Sequence, residues 1–187
     1  MDSVAPEIRR AATLILVRDA GTAPRVLMGR RSDSAVFLPG AYVFPGGAIE
    51  PIDQVTEPDH PLNPICAARL GSLAPALAAV RELREETGFR FAGGLDLRPL
   101  RYVFRAITPA GFPRRFDTAF FLADAAALDG DLDDIRPEDP ELSDLHWVSP
   151  DRLSALKLPS ITRIVLRSVV ARLPSLEAPV TVPEVGL

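Results

Sequence analysis

The sequence predicts a single α/β domain, because segments with strand character and segments with helix character alternate along the chain. The length of 187 residues corresponds to about one domain. A hydrophobic content of 47% and a charged content of 25% are typical of a globular protein that buries a substantial core. Since the strands and helices interleave, a mixed sheet covered by helices is the expected architecture.

Hydrophobic patterning and turn residues predict the order of the elements. Strands are expected where apolar residues run together between loops rich in Gly and Pro. Helices are expected where apolar residues recur at helical spacing, with Asn63-Pro64 and Gly71 bounding one and Gly88 ending another. The expected strands are 11–17, 25–30, 41–44, 98–104, 116–122 and 144–148, and the expected helices are 64–70, 74–87, 150–156 and 160–172.

The whole chain, 1–187, is expected to form one domain whose core spans about 9–173. Proline and acidic residues crowd the stretch before Asn63, so residues 54–74 are expected to form a peripheral insertion with a short helix and no strand. Three prolines among the final residues predict a flexible tail over about 174–187.

Composition excludes several classes of protein. The single cysteine, Cys66, excludes an intramolecular disulfide framework and a Cys-rich zinc site. A net charge of −4 without a basic stretch argues against a nucleic-acid partner. Apolar runs fall far short of the ~20 residues that a membrane span needs, so no membrane partner is expected. With one cysteine and no recognisable targeting segment, a cytoplasmic location is expected.

The segment RELREETGF, residues 81–89, concentrates the chemistry. At ~100° per residue, Glu82, Glu85 and Glu86 share one arc of a helix, and an apolar stripe occupies the other. Like charges at this spacing repel, and a hard divalent cation such as Mg²⁺ or Mn²⁺ would turn the repulsion into a binding site. The alternative is a solvated helix face on which the two arginines of the segment pair with the glutamates.

A glycine corner precedes this helix in FPGGAIEPID, residues 44–53. Adjacent glycines leave backbone groups accessible to a metal or a phosphate. Together the two segments resemble the box of the Nudix hydrolase family, G-x5-E-x7-R-E-U-x-E-E-x-G-U, where U is a bulky apolar residue. The second half is complete. In the first half Asp53 stands where the box has Glu, and 27 residues separate Asp53 from Arg81 where the box has seven.

The resemblance implies an α/β/α sandwich with a mixed sheet, and hydrolysis of a diphosphate linked to another group with Mg²⁺ or Mn²⁺ as cofactor. It implies that Glu82, Glu85 and Glu86 are catalytic metal ligands and that the Gly46 carbonyl is a candidate ligand. Arg81 would hold the carboxylates in place. The mechanism would be attack of water on phosphorus while a carboxylate takes the proton.

The box does not determine which carboxylate is the general base. Glu82 can serve, but some members of the family use a glutamate on a distant loop. Glu138 and Glu141 are candidates by position, although an acidic loop is more often simply solvated.

A second pattern precedes the glycine corner. The string LMGRRS at 27–32, followed by Gly40 and Phe44, is similar to a string in the coenzyme A diphosphatases of the Nudix family. Asp53 also agrees with that branch, whereas Val36 stands where its string has a second Arg. The resemblance therefore implies CoA or acyl-CoA as substrate, cleaved to 3′,5′-ADP and a 4′-phosphopantetheine species.

Such a substrate needs cations for its 3′-phosphate and apolar surface for its pantetheine arm. Arg31, Arg114 and Arg115 could supply the cations, Gly47 could contact the diphosphate, and the insertion could supply apolar surface. The alternative for the adjacent arginines is ordinary surface ion pairing. Two other functions stay open: a pyrophosphatase of ADP-ribose, NADH or another nucleoside diphosphate derivative, and a non-catalytic nucleotide-binding regulator. The expected partner is a small-molecule diphosphate, with a second copy of the chain as a candidate in a homodimer.

Overall fold

The computed structural model describes residues 6–186, in which one mixed sheet lies between two helical layers. This arrangement confirms the predicted α/β sandwich. The predicted domain limits also include residues 1–5 and 187, which lie outside the described residues. The strands are β1 Ile8–Arg18, β2 Arg25–Arg31, β3 Tyr42–Val43, β4 Gly46–Ala48, β5 Arg101–Ile107, β6 Arg115–Asp124, β7 Leu142–Val148 and β8 Glu184–Val185, and the helices are α1 Pro64–Leu70, α2 Ala74–Thr87 and α3 Ser160–Val170.

The central strand of the sheet is β1, and it positions the glycine corner. Along one edge it pairs in parallel with β6 over nearly its whole length. Along the other edge it pairs with β2 around Val17 and Val26, after which the two strands diverge. Strand β4 fills the gap and pairs Gly47 with Ala12. Beyond these strands, β3 and β7 pair with β2, while β5 and β8 follow β6.

Both faces of β1 are buried, as its continuous apolar run predicts. Leu14 and Leu16 pack beneath α1 and α2, whereas Ile15 and Val17 pack against α3. Because side chains alternate along a strand, one hydrophobic segment supplies both halves of the core.

The two helices around the acidic segment occupy the predicted residues. The side chain of Asn63 accepts a hydrogen bond from the N–H of Ile65 (3.0 Å) at the start of α1. Gly71 and Gly88 end α1 and α2 with φ of 68° and 78°, a conformation that glycine adopts without steric cost. No helix within 6–186 is long and apolar enough to cross a membrane.

Two elements differ from the prediction. The strand expected at 98–104 begins at Arg101, because Asp96 accepts hydrogen bonds from the Arg98 N–H (2.9 Å) and side chain and so forms a turn. The helix expected at 150–156 is only a short 3-10 turn, Leu153–Ala155.

The insertion contains α1 and no strand of the sheet, but it is more than a peripheral excursion. Leu62 and Cys66 are 3% and 1% exposed and belong to the core beneath α2. The Cys66 Sγ accepts a hydrogen bond from the Tyr102 N–H at 3.4 Å. The insertion therefore completes the core on this side of the sheet.

The C-terminal residues, predicted to form a flexible tail, lie along the sheet instead. Strand β8 pairs in parallel with β5, and Ala178 and Val182 pack against the core. The Arg69 guanidinium of α1 donates to the carbonyls of Pro179 and Val180, both at 2.8 Å. Residues 177–185 are called the C-terminal strap below.

Candidate active site

Helix α2 carries the acidic residues and is held firmly at its C-terminal end. Pro75 lies in its first turn, where a missing N–H costs no hydrogen bond. At the other end the Thr87 hydroxyl donates to the Leu83 carbonyl (2.5 Å) and accepts from the Phe89 N–H (3.1 Å). The last two turns, which contain the carboxylates, are therefore well positioned.

The three glutamates differ in burial. The side chains of Glu82 and Glu85 are 15% and 31% exposed, whereas Glu86 is only 3% exposed. Its Oε2 accepts a hydrogen bond from the Gly46 N–H at 2.8 Å. The arc that the three glutamates share is therefore not wholly open to solvent: Glu86 is covered because β4 packs against this side of the helix.

Arg81 is the centre of the ion-pair network. Its Nε and Nη2 donate to Asp53, each at 3.1 Å, and its Nη1 donates to Glu82 and Glu85, each at 2.9 Å. Nη2 also donates to the Ala48 carbonyl at 3.0 Å. Although burial opposes its charge, the hydrogen bonds to Asp53 and the charge of Glu82 raise the pKa of Arg81. Arg81 therefore stays charged and orients both carboxylates.

Asp53, which departs from the family box, is the buried partner of Arg81. It is 3% exposed, and its Oδ2 also accepts from the Glu50 N–H at 2.8 Å. One carboxylate thus caps the 3-10 turn Pro51–Gln54, which leads into the insertion, and binds the guanidinium. The two halves of the box meet through this pair although the insertion separates them in sequence.

The buried carboxylates raise the electrostatic free energy of the site. Burial raises the pKa of Glu86 to about 8; the Gly46 hydrogen bond opposes the shift, while the charges of Glu82 and Glu141 add to it. Burial also raises the pKa of Glu82, against the effect of Arg81. A cation placed among these groups would stabilise their ionised forms.

The donor set fits a hard divalent cation, because carboxylate and backbone carbonyl oxygens are the ligands that Mg²⁺ and Mn²⁺ prefer. Within the described residues, no three side chains of His, Cys, Asp or Glu already converge as metal ligands. Arg81 draws Glu82 and Glu85 to its guanidinium, and Glu86 turns to the Gly46 N–H. Metal binding would therefore require small rotations of these side chains.

The two distal glutamates have different surroundings. Glu138 pairs with Arg84 (3.2 Å) and Arg90 (2.8 Å), an arrangement with no signal in the sequence. Its backbone N–H donates to the Glu85 carbonyl at 2.8 Å, which fixes this loop at the end of α2. Glu141 is exposed, and its charge acts on Glu82 and Glu86. The charge of Glu141 thus acts on the carboxylates, whereas the Glu138 carboxylate is engaged by two arginines.

Of the three arginines expected to bind substrate, only Arg31 is brought to the carboxylates. Its charge opposes the rise that burial causes in the pKa of Glu86, and its Nε donates to the Phe37 carbonyl at 3.0 Å. The Arg115 Nε donates to the Thr108 carbonyl at 3.0 Å, at the loop between β5 and β6, and Arg114 is exposed beside it.

Two features of the site were not predicted from the sequence. A Cβ atom added to Gly47 would lie 2.2 Å from the Glu82 Oε1, so the glycine is the surface against which that carboxylate rests. A cavity of about 550 Å³ also adjoins Arg81 and Asp53. Its remaining walls are mostly apolar and come from the 3-10 turn Pro51–Gln54, the insertion, α2 and the segment that follows α2, including Ile52, Thr56, Leu77, Val80, Phe89, Phe91 and Leu95.

Comparisons with known proteins agree with this geometry. The model of the NUDIX domain family matches residues 8–169. The chain is 30% identical to the RNA pyrophosphohydrolase of Erythrobacter litoralis over 90% of this chain and 92% of that protein. It is 31% identical to the NAD-capped RNA hydrolase NudC of Chromobacterium violaceum over 89% of this chain and 48% of that protein. The crystal structure of a NUDIX hydrolase from Alicyclobacillus acidocaldarius matches with a TM-score of 0.67 and 29% identity, over 89% of this chain and 92% of that one.

The chain spans about half the length of two of the curated relatives that it matches. The family match nevertheless covers most of the chain, from the start of β1 to the end of α3, and contains the whole carboxylate site. The chain therefore belongs to the Nudix hydrolase family.

Proposed function

We propose that this chain is a metal-dependent hydrolase that cleaves the diphosphate linkage of CoA or acyl-CoA into 3′,5′-ADP and a 4′-phosphopantetheine species. One observation carries the hydrolase assignment: the acidic helix meets the glycine corner. Glu86 accepts the Gly46 N–H at 2.8 Å, and Glu82 rests against Gly47. Cation ligands and accessible backbone groups thus occur together, as diphosphate hydrolysis requires.

Each residue of the site has a role in this proposal. Glu82, Glu85, Glu86 and the Gly46 carbonyl would hold Mg²⁺ or Mn²⁺, whose charge offsets the negative charge that develops on the diphosphate. Arg81 positions the first two carboxylates and does not itself react. The Gly47 backbone contacts the diphosphate, where a side chain would displace Glu82.

Glu141 is the better candidate for the distal general base. It is exposed to water, and its charge already acts on Glu82 and Glu86. Glu138 is held by two arginines, so its carboxylate is already engaged and less free to approach a water molecule. Glu82 is the alternative base, because burial raises its pKa and so strengthens it as a base.

Two observations support a substrate with an anionic head and an apolar arm. Arg31 lies within the string that resembles CoA diphosphatases. Its positive charge acts on Glu86. The cavity of about 550 Å³ beside Arg81 has mostly apolar walls and Arg84 and Arg90 at its margin. An acyl or pantetheine arm is chemically suited to such walls. Arg114 and Arg115 would then contact only the end of the substrate that carries the 3′-phosphate.

A second candidate is the 5′-phosphorylated or NAD-capped end of RNA. The relative that matches over nearly the full length of both chains is an RNA pyrophosphohydrolase, and another is an NAD-capped RNA hydrolase. The net charge of −4 gives this chain little electrostatic attraction for a polynucleotide. We therefore place RNA after CoA, followed by ADP-ribose and NADH.

A substrate panel tests the proposal. CoA, acetyl-CoA, octanoyl-CoA, ADP-ribose, NADH and a short RNA with a 5′-triphosphate or NAD cap are compared with Mg²⁺ and with Mn²⁺. Mass spectrometry in H₂¹⁸O identifies the products and the phosphorus attacked. We expect 3′,5′-ADP from the CoA compounds and the highest kcat/KM for one of them. Cleavage of RNA or ADP-ribose alone would reject the CoA assignment while retaining the hydrolase, and no cleavage at all would reject both.

A further inference from the structure

Another cavity, of about 440 Å³, lies between α1, the sheet and the C-terminal strap. None of the box carboxylates lines it. Strands β1, β5 and β6 form its floor, and α1 and the first turn of α2 form one side. The strap forms the other side and is held by the Arg69 hydrogen bonds to Pro179 and Val180. The volume is within the range of small-molecule sites, about 300–1,000 Å³.

Tyr102 supplies a polar group, its hydroxyl, on the floor of this cavity. Its side chain belongs to the core, and the residue is only 6% exposed. Within residues 6–186 its hydroxyl forms no hydrogen bond, although its backbone N–H is bound to Cys66. Burial raises the pKa of Tyr102 to about 12, so the hydroxyl keeps its proton and is available as a donor. A hydroxyl that opens into a cavity and has no protein partner can donate a hydrogen bond to a ligand.

The guanidinium groups that line the cavity are only partly neutralised. Arg105 is paired with Asp117 through two hydrogen bonds of 2.8 Å and with Glu184 at 3.3 Å. Arg69 binds backbone carbonyls, which do not cancel its charge. The charge of Arg10 is felt by Asp117, but in the part of the chain that the structure describes Arg10 forms no ion pair.

The chemistry of the walls defines the kind of ligand. Free donors predominate, since the two acidic side chains are already used by Arg105. Such a surface favours an oxyanion, because guanidinium groups bind carboxylate and phosphate in pairs of hydrogen bonds. The rest of the lining is apolar and includes Ala11, Leu70, Pro75, Ala119 and Val182.

We propose that this cavity is a second ligand site, which binds a small organic oxyanion, a phosphate monoester or carboxylate on an apolar body, through Arg10, Arg69 and Tyr102. The proposal does not depend on the reaction proposed above, because it involves no residue of the carboxylate site. The insertion and the strap create the site together, since α1 and the strap form its opposite walls.

Calorimetric titration in metal-free buffer with EDTA tests the site. The probes are phenyl phosphate and benzoate, with benzyl alcohol as a neutral analogue of similar size. We expect both anions to bind more tightly than the alcohol. Tighter binding of phenyl phosphate would identify a phosphate site, and tighter binding of benzoate a carboxylate site. Arg10→Gln should weaken the anions about tenfold, and Tyr102→Phe, which removes only the hydroxyl, by about threefold to tenfold.

Arg9→Gln is the matched control. Arg9 is the neighbouring exposed residue of β1, and its side chain lies on the opposite face of the strand, so the same charge is removed away from the cavity. Its affinity for both probes should equal that of the wild type. Wild-type affinity in both Arg10→Gln and Tyr102→Phe, or no binding by the wild type up to ~10 mM, would overturn the proposal. Binding that is lost in Arg31→Gln instead would place the anion at the carboxylate site and would also overturn it.

Discussion

Replacement of Gly47 by Ala should move the Glu82 carboxylate without destabilising the fold. The added methyl group would lie 2.2 Å from the Glu82 Oε1 and 2.5 Å from its Cδ, both atoms at the end of a flexible side chain. Ordinary contacts begin near 3.4 Å, so the carboxylate must retreat by about 1.2 Å. Gly47 does not occupy the left-handed region, so its backbone accepts alanine without strain.

The expected magnitudes follow from this displacement. A new rotamer of Glu82 costs about 1 kcal/mol or less, so the melting temperature should change little. A displacement of about 1 Å in a positioned catalytic group lowers the rate by about 10²-fold. Gly47→Ala should therefore remain folded and lose about 99% of its kcat/KM on whichever diphosphate the panel identifies.

Two other glycines serve as controls for this measurement. A Cβ atom at Gly46 would lie 2.4 Å from the backbone oxygen of Ala12 and 2.7 Å from the Thr13 Cα, and neither can move alone. Gly46→Ala should therefore destabilise the fold as well as inactivate it. Gly21 has no atom within 4 Å of an added Cβ, so Gly21→Ala should match the wild type in both assays.

The measurements are kcat/KM at saturating Mg²⁺ and thermal unfolding by circular dichroism. Wild-type activity in Gly47→Ala would refute the claim that the observed position of Glu82 matters for catalysis. A loss of stability as large as that of Gly46→Ala would refute the claim that only a side chain has to move.

Four further predictions test the roles of other residues. Glu85→Gln should lower kcat by at least ~10²-fold, without a large change in melting temperature, because it removes a proposed metal ligand whose side chain is partly exposed; wild-type turnover would contradict that role. Glu141→Gln should lower kcat by ~10²-fold or more, whereas Glu138→Gln should keep most activity and lose only two surface ion pairs; equal losses would argue against Glu141 as base. Arg105 lowers the pKa of Asp117, so the ionised form is stabilised in the folded state. The stability advantage of wild type over Asp117→Asn in urea unfolding should therefore be full at neutral pH and should shrink as pH falls below about 3.8; a gap independent of pH would refute the ion pair. Leu62→Ala should lower the free energy of unfolding by about 3 kcal/mol, and a change below ~1 kcal/mol would show that the insertion is not part of the core.

Local signals predicted the helices of the site well. Cap residues act through their own backbone conformation and through hydrogen bonds to residues close in sequence. Asn63, Gly71 and Gly88 therefore predicted the helix ends without tertiary information. The box pattern also placed Arg81 among carboxylates, and in the structure Arg81 forms ion pairs with Glu82 and Glu85.

The burial of Glu86 could not be predicted from helical periodicity. The residue lies at the border of the polar arc, and its side chain is covered only because β1 and β2 diverge and β4 enters between them. The same limit applies to Glu138 and Glu141. Their different environments depend on where the loop before β7 meets the end of α2.

Long-range contacts explain the errors at the insertion and the C-terminus. Proline-rich composition indicated weak local structure in both segments, and that description of the local chain was reasonable. Leu62 and Cys66 nevertheless fill a place in the core, and Arg69 binds the strap. Each contact joins residues far apart in sequence, so no short pattern could reveal it.

The buried Asp53–Arg81 pair has a consequence for how the family box tolerates length. The pair closes a chain loop whose ends are fixed, and the conformational entropy of such a loop changes only with the logarithm of its length. Extending the spacer from seven residues to 27 costs about 1.2 kcal/mol on this basis. Burial of Leu62 alone contributes a comparable stabilisation, about 1.5–3 kcal/mol. A box whose halves are joined by a buried ion pair can therefore acquire a long segment with little loss of stability, and that segment is free to evolve new walls for a ligand.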